Sequence, residues 1–277
     1  MGLGLRIALA ALSRPAHHAY ADDHPAQVAD LHVPRGDGPF PVAVMLHGGY
    51  WHAAYGKLTT RPLAADLARR GLAAWNVEYR RLGRNQGGGW PATFDDVATA
   101  IDHLGLLSDP RLDLSRVTVV GHSAGGQLAF WAAGRGGLPS GAPGAAPSVV
   151  VRDVVALAPV TDLAGAGRVV HALLGGSPQQ VPERFAQADP KHRLPLGVPM
   201  LLVHALDDAT VSVRQSRSYV AAARAAGDDV SFLEPDVGGH RGVIDPGSDA
   251  WRTAAEWLAK QTAAPLTATR SVTGTSI

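Results

Sequence analysis

The chain has 277 residues, of which 46% are hydrophobic and 18% charged, and its formal net charge is +1. A charge so close to zero gives no electrostatic reason to expect a nucleic-acid or membrane partner. The absence of cysteine excludes disulfides, a thiolate nucleophile and thiolate metal ligands, and the histidines lack metal-ligand spacing, so we expect neither a metal nor a cofactor.

The first 26 residues are a leader rich in alanine and proline. Its apolar start lacks the basic end and the cleavage site of a secretory signal, so a short helix or a disordered leader is favoured over secretion. No stretch reaches the length of a transmembrane helix. We therefore predict a leader (1–26), one domain (27–262) and a disordered tail (263–277) rich in threonine, serine and alanine.

Short continuous apolar runs, typical of buried strands, alternate along the domain with segments whose apolar residues recur at helical spacing. Predicted strands cover residues 27–33, 41–46, 72–77, 117–120, 149–157, 200–204 and 230–233. Predicted helices start near residues 59, 91, 127, 212 and 248. The pattern predicts an α/β fold, with a mostly parallel sheet, helices on both faces and an edge strand at 27–33. Residues 160–197 are less regular, with short helices near 169–174 and 182–188, and are predicted to form a small cap.

A strand-to-helix corner at residues 117–126 carries the strongest chemical signal. A buried run ends in Gly-His-Ser-Ala-Gly-Gly, and a helix follows. Gly121 and Gly125 remove the Cβ atoms that would clash at such a corner, and Ser123 would project at the positive end of the helix. A glycine-rich turn that merely contains a serine is the alternative, but the flanking strand and helix are the context that a nucleophile requires.

A serine hydroxyl needs a base to take its proton and an acid to orient that base. The expected chain order on this kind of sheet is serine, acid, histidine, and His240 follows the last predicted strand. Asp207 and Asp208 follow the strand before it. One of them should reach the histidine and the other solvent or a backbone amide. Asp162 is a weaker third candidate, because capping of the following segment is its simpler role.

The oxyanion formed on attack needs donors that are already in place. The N–H of Ala124, next to the nucleophile, is one candidate. The others are predicted in the loop His-Gly-Gly-Tyr-Trp, where we choose the N–H groups of Gly49 and Tyr50. We expect His47 to brace this loop, because it precedes Ser123 in the chain.

Aromatic side chains near the site offer flat apolar surfaces to a planar leaving group. Tyr50 and Trp51 end the oxyanion loop, Trp90 follows three glycines, and His122 precedes the nucleophile. These four residues are the predicted substrate-binding side chains. Burial of Trp51 and Trp90 in the core is the alternative.

Together these motifs resemble the α/β-hydrolases, in the group that contains the animal-type arylformamidases (kynurenine formamidases) and the hormone-sensitive-lipase-type esterases. Residues 47–51 are similar to the arylformamidase loop His-Gly-Gly-x-Trp, and residues 121–126 resemble both groups. Residues 204–213 resemble the stretch His-Gly-x-x-Asp-x-x-Val-Pro, whose aspartate is the triad acid, which implies Asp208. The resemblance covers roughly residues 27–260 and implies the α/β-hydrolase fold.

The prediction is a cofactor-free serine hydrolase that cleaves small acyl esters or aryl formamides through an acyl-enzyme. The esterases have a third glycine where this chain has Tyr50, which should crowd bulky acyl groups. Short acyl chains, formyl to butyryl, on an aromatic alcohol or amine are therefore expected.

Two other functions are weighed against this prediction. A serine peptidase of the prolyl-oligopeptidase type usually carries a large additional domain, and a non-catalytic binding protein on the same scaffold usually loses the serine or the histidine. The expected partner is a small-molecule substrate, with no nucleic acid and no membrane. A homodimer and a cytoplasmic location are the further expectations.

Overall fold

In the computed structural model, which describes residues 15–263, eight strands form one sheet. The strands are β1 (Ala16–Ala19), β2 (Val28–His32), β3 (Phe40–Leu46), β4 (Ala73–Val77), β5 (Leu112–His122), β6 (Val151–Leu157), β7 (Met200–Val203) and β8 (Val230–Leu233). Their spatial order is β1-β2-β4-β3-β5-β6-β7-β8. The pairs β1–β2 and β2–β4 are antiparallel, and every other neighbouring pair is parallel.

The helices of the described chain cover both faces of this sheet. They are α1 (Arg61–Arg69), α2 (Ala92–Asp102), α3 (Ala124–Ala133), α4 (Arg168–Leu174), α5 (Pro182–Ala188), α6 (Val213–Ala225), α7 (Gly239–Gly242) and α8 (Asp249–Ala263). Side chains of α1 and α8 pack in one core, and those of α2, α3 and α6 pack in the other. This two-faced arrangement agrees with the prediction.

Strand β3 shows why the central strands are apolar throughout. Val42, Val44 and Leu46 belong to the core beneath α2 and α3, whereas Ala43 and Met45 belong to the core beneath α1 and α8. Successive side chains of a strand point to opposite faces, so a strand that is covered on both faces cannot alternate with polar residues. The sheet therefore forms the common wall of two apolar cores.

The predicted leader is wrong where the structure describes it. Residues 16–19 form β1, which pairs with β2 and supplies hydrogen-bond partners to a backbone edge that would otherwise be open. Tyr20 is buried, and its hydroxyl donates to the carbonyl of Glu78 at 2.8 Å. Strand β2 is consequently not the edge strand that its sequence pattern predicted. The predictions for residues 1–14 and 264–277 fall outside the described residues.

The segment predicted as a cap contains the two expected short helices, α4 and α5. Apolar side chains of both helices, including Leu173 and Phe185, are buried in the core beneath α2 and α3. The carbonyl of Ala188 accepts a hydrogen bond from Gln127 Nε2 at 2.9 Å, which joins the segment to α3. No helix within residues 15–263 combines the length and the apolar composition that crossing a membrane requires.

Candidate active site

Ser123 lies at the corner between β5 and α3. Its backbone has φ +54° and ψ −116°, a conformation that typically costs about 1–3 kcal/mol for a residue with a side chain. Hydrogen bonds hold the corner: the Ser123 N–H donates to Leu157 O at 2.9 Å, and the Ser123 carbonyl accepts from the N–H groups of Gly126 and Val160. The local structure is that of a nucleophile elbow.

Glycines allow the chain to pass close to this corner. A Cβ at Gly121 would collide with the carbonyl of Gly125. A Cβ at Gly48, in the loop after β3, would lie 2.8 Å from His122 Nδ1 and 3.0 Å from Ser123 Cβ. The loop after β3 is therefore in direct contact with the serine.

His240 follows β8 and pairs with one of the two candidate aspartates. Its Nδ1 lies 2.7 Å from Asp208 Oδ2, and the Asp208 side chain is fully buried. The other oxygen of that carboxylate accepts from the N–H groups of Thr210 and Val211 at 2.8 and 3.0 Å. Asp207 instead accepts from the backbone N–H groups that precede His240, those of residues 238 and 239. The two neighbours thus have the different orientations that the sequence predicted, one towards the histidine and one towards backbone amides.

The environment of Asp208 favours its ionised form. Burial alone would raise its pKa, but the hydrogen bonds from His240, Val211 and Thr210 outweigh burial and hold the pKa below its usual value. His204, which is fully buried, contributes a further contact, with its Nε2 2.8 Å from Val211 O and 3.2 Å from Asp208 Oδ2. Asp208 is therefore a fixed carboxylate with little freedom to turn.

His122 connects the serine corner to the segment that carries His240. Its Nε2 lies 2.9 Å from the His240 carbonyl, and the two imidazole rings are 4.7 Å apart. Burial, reinforced by the neighbouring His240, lowers the pKa of His122 to about 3, so the neutral ring donates from Nε2 to that carbonyl. Among the described residues, Ser123 Oγ and His240 form no direct hydrogen bond in this conformation.

His47 braces the loop after β3, as the sequence predicted. Its Nε2 lies 2.7 Å from Glu78 Oε1, its ring stacks on Tyr79 at 4.3 Å, and the Tyr79 hydroxyl donates to the His47 carbonyl at 2.7 Å. Burial would raise the pKa of Glu78, but the hydrogen bond from His47 and the charge of Arg81 lower it. The carboxylate of Glu78 is thus a stable anchor for the loop.

The loop itself has an unusual backbone. Gly49, Tyr50 and Trp51 have φ values of +114°, +56° and +53°. Within residues 15–263 the N–H groups of Gly49, Tyr50 and Ala124 donate to no protein acceptor, so the protein leaves these three donors unused. Such preorganised donors are what a developing oxyanion needs.

The sequence matches the BD-FAE family over residues 29–222. The chain belongs to the BD-FAE family. Esterase LipC of Mycobacterium tuberculosis is 27% identical to this BD-FAE protein over 242 residues. The alignment covers 80% of the chain but only 58% of LipC, so the chain spans little more than half the length of that relative.

Solved structures resemble this BD-FAE protein over most of its length. A truncated carbohydrate esterase from gut microbiota has a TM-score of 0.78 at 21% identity, covering 90% of this chain and 97% of its own. The butyrate-bound esterase Est2 of the planctomycete Thermogutta terrifontis has a TM-score of 0.73 at 20% identity, covering 89% and 92%. Another structure is of Est2 phosphoramylated by tabun. These likenesses confirm the α/β-hydrolase fold.

Two of the predicted substrate-binding side chains, Trp51 and Trp90, pack against the core of this BD-FAE protein. Trp51 is 1% exposed and its indole N–H donates to Gln127 Oε1 at 3.2 Å, so the prediction that it lines the substrate site is wrong. Trp90 is half-buried and packs against Phe94 with ring centroids 4.9 Å apart, which agrees with the core alternative. Tyr50, at 50% exposure, is the aromatic residue of the loop that faces solvent.

Sequence reasoning did not assign roles to Glu78, Gln127 or His204. Glu78 directly follows β4 at the same edge of the sheet as the serine corner, and that position was a usable signal. Gln127 lies one helical turn after Ser123, where a polar residue in an otherwise apolar helix indicates a buried partner. Asp162, the third acid candidate, binds Lys191 Nζ at 2.7 Å and the Gly165 N–H at 2.9 Å, in agreement with its simpler capping role.

Proposed function

We propose that the protein is a cofactor-free serine esterase in which Ser123 is the nucleophile, His240 the base and Asp208 the orienting acid. The observation that carries the proposal is the combination, at one edge of the sheet, of a strained serine corner with a buried aspartate–histidine pair. The N–H groups of Gly49, Tyr50 and Ala124 complete the proposed site as oxyanion donors.

The proposed reaction has two steps. His240 Nε2 takes the Ser123 hydroxyl proton as Oγ attacks the acyl carbonyl, while Asp208 accepts from Nδ1–H and stabilises the imidazolium. The oxyanion binds the three backbone N–H groups. Collapse of the tetrahedral intermediate expels the alcohol or amine, which takes the proton from His240. Water then attacks the acyl-enzyme with the same base, which releases the acid and regenerates Ser123.

The proposed substrate has a short acyl chain and an aromatic leaving group, either an aryl ester or an aryl formamide. Gly48 lies close to Ser123, and Tyr50, in the same loop, offers an exposed aromatic ring. Leu206 and Val237 are exposed apolar residues in the loops that carry Asp208 and His240, and they offer further apolar surface. The names of the relatives fit small esters: LipC is an esterase, and Est2 is solved with butyrate.

Fluorophosphonate labelling and turnover test this assignment together. Wild-type protein and a Ser177→Ala control, which changes a serine of the cap segment, should be labelled, whereas Ser123→Ala should not. Ser123→Ala and His240→Ala should keep the circular dichroism of the wild type and lose about 10³-fold or more in kcat. Near-normal turnover by folded Ser123→Ala would contradict the whole assignment.

A substrate series tests the specificity. The kcat/KM for nitrophenyl acetate should greatly exceed that for nitrophenyl palmitate, and N-formylkynurenine should be cleaved. A preference for long chains without any formamide cleavage would leave a general esterase and remove the aryl formamide proposal. Labelling of Ser123 without turnover of any substrate would instead favour a binding protein on a hydrolase scaffold.

A further inference from the structure

The oxyanion loop is held in a conformation that its residues do not prefer. Gly49, Tyr50 and Trp51 all have positive φ, and only the first of them is a glycine. Residues with side chains keep such a backbone only where the surrounding structure fixes it. The proposed donor N–H of Tyr50 lies in the middle of this run, so whatever fixes the run also fixes the donor.

Trp51 is anchored by its side chain as well as by its backbone. Its carbonyl accepts from the Leu82 N–H at 2.6 Å, a contact that does not depend on the side chain. Its buried indole N–H donates to Gln127 Oε1 at 3.2 Å. An indole has one polar atom, so the hydrogen bond to Gln127 is the single one that the Trp51 side chain makes.

Gln127 is fixed in turn from the other side. It is fully buried, and its amide Nε2 donates to the carbonyl of Ala188 at the end of α5. Its backbone lies one turn beyond Ser123, and its N–H donates to the Ser123 carbonyl at 3.3 Å. One side chain therefore links the oxyanion loop, the nucleophile helix and the cap segment.

We propose that Gln127 is a positioning residue for the oxyanion hole, acting through Trp51 on the N–H of Tyr50. The proposal rests on the proposed function, because it assumes that this N–H stabilises an oxyanion on the acyl group carried by Ser123. A displaced donor weakens transition-state binding more than substrate binding, so kcat should fall while KM changes little. If Gln127 only provided hydrogen bonds to buried polar groups, replacing it would lower the stability and leave kcat unchanged.

The test uses Trp51→Phe, Gln127→Met and the double variant, with Trp75→Phe as the matched control. Trp75 is also a fully buried tryptophan, and its indole N–H donates to the Ala100 carbonyl at 2.8 Å, outside the proposed site. Trp75→Phe should lower the melting temperature and keep kcat for nitrophenyl acetate within about twofold of wild type. Trp51→Phe and Gln127→Met should each lower kcat by about 10- to 100-fold, with KM within about threefold.

The kcat of the double variant should lie within about threefold of the kcat of the less active single variant, because both changes break the same hydrogen bond. Inhibition by benzeneboronic acid, which forms a tetrahedral adduct on a serine, should weaken in parallel with kcat. Trp51→Phe keeps the bond from Gln127 to Ala188, so the test does not depend on Gln127→Met being folded.

The outcomes separate the two proposals. If wild-type protein neither cleaves an ester nor binds the boronic acid, the proposed function fails. If wild-type protein is active and Trp51→Phe keeps kcat as Trp75→Phe does, the inference about Gln127 is wrong and the esterase assignment stands. Independent, additive losses in the double variant would also overturn the inference.

Discussion

Replacing Asp208 by asparagine should disable the proposed base while leaving the fold intact. One oxygen of Asp208 accepts from the N–H groups of Thr210 and Val211, and the other faces His240 and His204. An asparagine keeps its carbonyl oxygen on the two backbone N–H groups, which turns its NH₂ towards the histidines. His240 Nδ1 must then accept, its proton moves to Nε2, and that nitrogen can no longer take a proton from the serine.

The expected loss is about 10⁴-fold in kcat, by analogy with the same substitution in serine protease triads. That factor corresponds to about 5 kcal/mol of transition-state stabilisation. Asp207→Asn is the matched control, because Asp207 is exposed and, among residues 15–263, accepts only from the N–H groups of Gly238 and Gly239. An asparagine has one acceptor oxygen, so Asp207→Asn loses one of these two hydrogen bonds from backbone N–H groups. The loss should cost about 0.5–1.5 kcal/mol of unfolding free energy and keep kcat within about tenfold of wild type.

The assay is kcat/KM for nitrophenyl acetate, measured with the melting temperature of wild type, Asp208→Asn and Asp207→Asn. Both variants should remain folded at the assay temperature, so that lost activity reports chemistry. A large loss in Asp207→Asn with near-normal Asp208→Asn would show that the neighbour is the acid. Equal, small losses in both would refute the argument that a tautomer change disables His240.

Two further predictions concern stability and metals. Burial raises the pKa of Asp153 in β6 from 3.8 to about 6, because the folded protein favours the neutral carboxyl. The stability that this preference contributes is fully present below the unfolded pKa of 3.8 and is lost as the pH rises through about 6. Asp153→Asn should therefore raise the melting temperature by up to about 6–12 °C at pH 8, from up to about 3 kcal/mol, and by much less at pH 4; an equal effect at both pH values would contradict this. Dialysis against EDTA should leave kcat unchanged, because the proposed oxyanion donors are backbone N–H groups; loss of activity that zinc restored would contradict it.

The serine corner could be predicted from the sequence because all its determinants are contiguous. The buried strand, the glycines at 121 and 125 and the following helix adjoin one another in the sequence, so the pattern of the turn can be recognised there. The choice between Asp207 and Asp208 depends on the segment at 238–240, which lies thirty residues further on. The chain order alone therefore left both aspartates open and the family resemblance implied Asp208, whereas the fold shows which partner each aspartate binds.

The errors have equally specific causes. Residues 16–19, Ala-His-His-Ala, carry no strand pattern, and they are extended because β2 offers them an unpaired edge. Trp51 ends the oxyanion loop, and this position in the sequence suggested that its side chain lines the substrate site. The positive φ values of residues 49–51 instead orient the Trp51 side chain into the core. Adjacency in sequence does not fix the direction of a side chain in such a loop.

The proposed nucleophile and the proposed base follow strands that differ in how many neighbouring strands they pair with. Ser123 follows β5, which has neighbours on both sides, whereas His240 follows β8, a four-residue strand that, in the described part of the chain, pairs only with β7. Protein edges open locally at lower free energy than the whole domain. On heating, the segment that carries His240 should unfold locally and separate from Ser123 while the backbone amides of β3 and β5 are still protected from deuterium exchange. Turnover should therefore stop at a temperature set by the edge strand β8, below the temperature at which the central strands unfold.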